Sequence, residues 1–222
     1  MILEVRAVPP FYKNGFVVGC ERTREAVVID PGDELDQLLG AVHELDVEVK
    51  HILLTHAHLD HITGVAAAKD AWNAPVYLHR DDLFLYEAVQ NQGAMFGMRV
   101  SPQPPPDVFY DGSIITFGDY EVRVLHTPGH CPGGVCLQIG PAGQPGAHLF
   151  VGDTLFAGSI GRTDLPGGDS EQMMASLRDT ILTRDDSAVV LPGHGPTTTI
   201  GRERASNPFL QDLDVPARGR WL

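Results

Sequence analysis

Cysteine is scarce in this sequence, with only Cys20, Cys131 and Cys136 among 222 residues. The number is odd and no C-x-x-C spacing occurs, so neither a disulfide framework nor a cysteine-rich zinc knuckle is expected, and a reducing cytoplasm suits the chain best. Positive charge is also in short supply: 16 Lys and Arg face 29 Asp and Glu, a formal net charge of −13. Such a surface repels phosphate backbones and anionic bilayers over long range, which argues against nucleic acid and membranes as partners. No apolar run reaches the ~18 residues of a membrane span, and the opening MILEVRAVPPFYKNG lacks the basic stretch, apolar core and cleavage site of a secretory leader. A soluble, cytoplasmic protein is the expectation. With 43% hydrophobic residues the chain can bury a sizeable core, and its length suits one domain over residues 1–222.

What is present is an alternation of β-like and helical segments. ILEVRAV, GFVVG and EAVVID are rich in β-branched residues and separated by Pro, Gly and Asn turn signals, so they read as strands. In ELDQLLGAVHELD, Leu35, Leu38, Leu39, Val42 and Leu45 recur at three- and four-residue steps, which predicts a helix with one apolar face. HILLT at 51–55 is apolar nearly throughout, as in a strand covered on both sides, and a second helical stretch, GVAAAKDAW, follows shortly after it. A further helix is predicted over 81–96, then a proline-rich loop from Pro102 to Pro106. Beyond it SIITF, YEVRVLHT, VCLQIG, HLFVGD and AVVLPG read as strands, with a helix at about 170–183. The class is α/β; pattern alone leaves open one sheet or two packed sheets.

The chemistry concentrates where apolar strands end. His56-Ala57-His58-Leu59-Asp60-His61 places three imidazoles and a carboxylate in six residues directly after HILLT. Neutral imidazole and carboxylate are ordinary ligands for zinc and similar ions. In a loop, residues 56 and 58 can face one ion while 60 and 61 face a second. His130 in TPGH, Asp153 in VGDT and His194 in LPGHG each follow another β-like run and sit beside a glycine that permits a tight turn. Each alone reads as a turn or cap residue; with the first motif they read as ligands.

The succession VIDPG, THAHLDH, TPGH, GDTLF and PGHG resembles the metallo-β-lactamase superfamily from about residue 15 to 200. The resemblance implies a four-layer αββα sandwich with a dinuclear site at one edge. It implies that His56, His58 and His130 hold one metal, that Asp60, His61 and His194 hold the second, and that Asp153 bridges them. Two divalent ions are expected, zinc first, with iron or manganese as alternatives. The β-lactamases that name the superfamily generally have cysteine where this chain has Asp153, whereas glyoxalase II-type thioesterases have aspartate. GSIGRTDLPGGD at 158–169 and LPGHGPTTTIGRERASNPFL at 191–210 are similar to short bacterial hydroxyacylglutathione hydrolases. Larger glyoxalase II enzymes add a helical domain that grips glutathione; here residues 201–222 read as a short tail without such a domain.

The implied activity is hydrolysis of S-lactoylglutathione or a related hydroxyacyl thioester by a metal-activated hydroxide, with Asp60 both a ligand and the group orienting that hydroxide. Arg162, in the loop after Asp153, either binds a substrate carboxylate through its fork or forms an ion pair with Asp164. Arg202 and Arg204 are further candidates for substrate carboxylates, and Asp30 of VIDPG reads as a supporting turn residue. His43, His51, His79, His126 and His148 lack motif context and read as surface or core histidines; Cys131 reads as a packing residue. The rival activities are a persulfide dioxygenase with one iron, which does without the second-site ligands, and a lactonase or esterase with the same seven. A non-enzymatic metal staple would favour cysteine-rich, closed ligation.

Overall fold

The structure, a computed structural model, describes residues 1–211 and 213. In chain order it runs β1 (Ile2–Arg6), β2 (Gly15–Gly19), β3 (Glu25–Ile29), α1 (Leu35–Leu45), β4 (Glu48–Leu53), α2 (Leu59–Ile62), α3 (Val65–Trp72), β5 (Val76–Leu78), α4 (Leu83–Glu87), α5 (Val89–Met95), β6 (Val108–Phe109), β7 (Ile115–Phe117), β8 (Tyr120–His126), β9 (Val135–Pro141), β10 (His148–Gly152), β11 (Leu155–Phe156), β12 (Ser159–Ile160), α6 (Ser170–Ser176), β13 (Val189–Pro192), β14 (Thr198–Thr199) and α7 (Ile200–Ser206). Two six-stranded sheets result, ordered β1-β2-β3-β4-β5-β6 and β14-β13-β10-β9-β8-β7. The first is antiparallel over β1-β2-β3 and parallel from β3 to β6; in the second only the β10–β13 pair is parallel.

The central strands β2, β3, β9 and β10 are apolar on both faces because both faces are covered. In β3, Val27 and Ile29 meet Phe150 and Leu137 of the opposite sheet, while Ala26 and Val28 join Leu38 and Val42 of α1. In β10, Phe150 points between the sheets and stacks edge-on against Phe16, ring centroids 5.0 Å apart, while Leu149 and Val151 turn outward to Met173 and Leu177. The period of two along each strand thus serves two cores at once. Helices α1, α3, α4 and α5 cover the first sheet, α6 and α7 the second, which makes the four-layer αββα sandwich.

Some local expectations change. The helix predicted over 81–96 is broken into a 3-10 turn at Arg80–Asp82, α4 and α5. The Gln92 side chain donates to Leu85 O, a carbonyl that an unbroken helix would give to the backbone of Val89. The tail expected from residue 201 begins inside α7, whose Ile200 and Glu203 are buried, and Leu210 is buried beyond it. The remainder of that tail, residue 212 and residues 214–222, lies outside the described residues. Four two-residue strands, β6, β11, β12 and β14, were too short to show alternation. Among the described residues no helix is long and apolar enough to cross a membrane.

Candidate metal centre

Four strands end on one edge of the sandwich. The loop after β4 delivers His56 and His58 and opens α2, which carries Asp60 and His61; β8 leads to His130, β10 to Asp153 and β13 to His194. Carboxyl ends of strands are where loops can converge without disturbing the ladders. Glycine makes two approaches possible. Gly129 has φ +139, and a Cβ there would run into the Met173 backbone; a Cβ on Gly193 would strike the Asp153 carboxylate and the His61 ring.

Hydrogen bonds fix which ring nitrogens face inward. Thr55 Oγ1 donates to Asp30 Oδ2 at 2.6 Å, so towards His56 Nδ1, 3.1 Å away, it accepts, and His56 is left with a bare Nε2. His130 donates from Nδ1 to Arg162 O at 2.7 Å, and His61 from Nδ1 to Asp30 Oδ2 at 2.9 Å. In each case an outer partner takes one nitrogen and leaves Nε2 for the centre, as in metal sites. His58 turns its Nδ1 inward, 2.8 Å from His130 Nε2.

The inward atoms cluster at ligand spacing. His194 Nε2 lies 3.1 Å from Asp60 Oδ2 and 3.6 Å from Asp153 Oδ2; His130 Nε2 is 3.6 Å from that same oxygen, and His61 Nε2 is 3.5 Å from Asp153 Oδ1. Donors held at ~2.1 Å around a tetrahedral ion stand about 3.4 Å from one another. His56 Nε2, His61 Nε2 and Asp153 Oδ1 are buried without a hydrogen-bond partner, a costly state that bound cations would relieve. The residues therefore suit a divalent pair. They group as His56, His58 and His130 on one side and Asp60, His61 and His194 on the other, with Asp153 among both sets.

Charge points the same way. Burial and the neighbouring imidazoles push His56 far below the ordinary histidine range, and burial with His130 pushes His58 down to about 3, so both are neutral donors. Burial opposes charge on His61 as well, yet Asp60, Asp30 and Asp153 overcome it and push its pKa up to about 10. Burial likewise opposes ionisation of Asp60 and Asp153, and the imidazoles around them nonetheless hold both below the usual carboxylate range. Carboxylates that attract a second proton onto His61 would also attract a divalent ion, which would take the place of that proton.

Arg162 reaches the centre through its backbone. Its guanidinium forms a bidentate pair with Asp164 at 2.7 and 2.8 Å, both exposed, and lines a cleft with Ile160, Met173 and Phe209. Arg204 is engaged by Asp186 and Leu182 O, before the start of β13 and thus at the opposite end of that strand from His194. That placement removes it from the substrate-carboxylate role expected of it. Asp30, at φ +51, bonds Thr55 N at 2.7 Å besides Thr55 Oγ1 and His61, and so does more than order a turn. Behind it Lys13 is buried, bonded to Asp30 O and to Glu34, a pair with no motif in the sequence to announce it. His79 and His126 stack at 4.1 Å with planes 12° apart near Asp81, so their in-plane lone pairs lie in nearly parallel planes, a poor arrangement for one shared ion although the three side chains are close together. His51 bonds Thr116 O from β4, and Cys131 donates its thiol to Asp82.

Residues 8–194 match the metallo-beta-lactamase superfamily, and the chain belongs to it. Among its relatives, the hydroxyacylglutathione hydrolase GloC of Haemophilus influenzae is 36% identical over 213 residues, 95% of this chain and 98% of that one. Among solved structures, the B3 metallo-beta-lactamase BLEG-1 superposes with a TM-score of 0.86 at 37% identity, covering 95% of this chain and all of that one. The protein TTHA1623, in a di-iron-bound form, superposes at 0.82 with 39% identity, covering 93% of this chain and all of that one.

Proposed function

We propose that this chain is a dinuclear metal-dependent hydrolase that cleaves S-lactoylglutathione or a related hydroxyacyl thioester in the cytoplasm. The observation that carries the hydrolytic part is the set of seven inward side chains whose two groups meet at Asp153. The thioester part rests on likeness to the Haemophilus influenzae hydrolase and on a carboxylate at residue 153. Zinc is the metal proposed, and iron has the support of the di-iron relative.

A bound divalent pair supplies Lewis acidity towards a carbonyl oxygen and makes water nucleophilic near neutral pH. The protein supplies the rest. Asp60, 15% exposed at its side chain, stands at the mouth beside His194 and can accept a hydrogen bond from the attacking water, orienting its lone pair. His56, His58 and His130 lie buried beneath it. A thiol leaves as a stable anion because its pKa is near 8.5, so this reaction makes little demand for a general acid. Arg162 meets a substrate carboxylate by exchanging Asp164 for it, an inexpensive swap for an exposed pair.

Likeness to BLEG-1 favours β-lactam hydrolysis as a second reading, since both reactions begin with attack on an acyl carbon. Steady-state assays of metal-replete protein on S-lactoylglutathione, a β-lactam, a lactone and a persulfide separate the readings. Turnover is expected on the thioester and to exceed that on the β-lactam. Absence of thioester cleavage beside robust action on another substrate would overturn the proposal in favour of that activity.

A further inference from the structure

Asp82 ends the 3-10 turn Arg80–Asp82, wholly buried, yet none of its three bonded partners is cationic. Its Oδ2 accepts from Ala57 N at 3.0 Å and from the Cys131 thiol at 3.1 Å, and its Oδ1 accepts from Gly133 N at 2.6 Å. Gln92, on α5, donates to Ala57 O at 3.0 Å and accepts from Leu59 N at 2.9 Å. The two side chains thus hold the peptides on both sides of His58 and the one following His56, and the same carboxylate reaches across to the loop that carries His130. Burying a carboxylate is costly without strong compensation, and burial raises the pKa of this one. An apolar side chain would fill the space more cheaply, but it would not join two loops from different sheets. The fit is close: a Cβ on Gly133 would come within 2.6 Å of Asp82 N.

We propose that Asp82 and Gln92 form a clamp that sets the spacing of His56, His58 and His130, and so are positioning residues for the ion held by that triad. The clamp rests on the ligand assignment above. Its bonds stop at residue 59; His61 is held separately, by Asp30. Asp82→Asn would turn an NH2 group towards one of the N–H or S–H donors and release one of the two loops. Gln92→Leu keeps the bulk and removes both bonds to the 57–59 loop.

The test is zinc release from the loaded full-length chain to a chromophoric chelator. The wild type should release two ions in two phases, the slow one from the buried triad; His194→Ala, which opens the other site, identifies the fast phase by its loss. In both clamp variants the slow phase should accelerate by up to about 10-fold, the lower end of the affinity loss seen when a ligand's own outer partner is removed, because these bonds act on the peptides beside the ligands, while the fast phase is unchanged. Should Asp82→Asn fail to fold, Gln92→Leu decides alone. An unchanged slow phase in folded variants, or equal acceleration of both phases, would overturn the clamp and leave the two-ion reading standing. A wild type that holds only one ion would overturn that reading and the clamp with it.

Discussion

His56, His58 and His130 are 2, 8 and 5% exposed; across the cluster His61 is wholly buried too, but its companions His194 and Asp60 leave 31% and 15% of their side chains open. The first group sits on two loops that a buried carboxylate ties together, while an amide holds one of them. The second takes its order from Asp30, which bonds His61 alone among the three, while His194 stands in the turn after β13. Closed sites hold metal and open ones admit substrate. On the proposed ligand assignment, the difference would give retention to the His56, His58 and His130 side and exchange with solvent and substrate to the side opened by Asp60 and His194, with Asp153 between them.

Asp153→Ala should abolish the difference between the two groups. Removing the carboxylate that both groups share should lower the affinity for both ions and cut thioester turnover by more than the ~100-fold typical of outer-partner losses. Metal content by elemental analysis and kcat/KM check it; a variant that keeps two ions and most of its activity would separate Asp153 from the bridge.

Asp30→Asn should loosen chiefly the side that holds Asp60, His61 and His194. Asparagine tolerates the left-handed φ of +51, so the backbone stays put while the charged acceptor of His61 Nδ1 is lost. The expected outcome is a 10- to 100-fold weaker ion on the Asp60, His61 and His194 side and a smaller weakening on the other, where Asp30 reaches His56 only through Thr55 Oγ1, read from stepwise zinc release. Equal weakening on both sides would mean that Asp30 supports the whole edge.

The smallest effect should come from Arg162→Ala. Its guanidinium touches Asp164 and no ligand, so metal content and stability should match the wild type, and only KM for an anionic thioester should rise, by a few-fold. A fall in kcat with unchanged KM would place the guanidinium in the transition state instead.

The sequence displayed much of this edge because its signals are local. His56 to His61 form one uninterrupted string, and His130, Asp153 and His194 each follow an apolar run and adjoin a glycine. The alternating inward and outward residues of β3 and β10 were legible as unbroken apolar runs, although two covered faces look the same whether one sheet or two are present. Asp82 and Gln92 were not legible. Their partners are backbone groups of Ala57 and Gly133 and the Cys131 thiol, 25 to 51 residues from Asp82, and no residue type advertises a bond to a distant peptide. The break between α4 and α5 was hidden for the same reason, since it depends on where the Gln92 amide goes. Lys13 and Glu34 belong to no motif, and only the fold brings them together and buries them.

Activity as a function of bound metal tests the two-ion account most directly. Metal-free protein titrated with zinc, assayed on S-lactoylglutathione at each step, should gain little from the first equivalent, which fills the buried site, and reach full turnover at two equivalents per chain. Full activity at one equivalent, with no further rise at two, would contradict it.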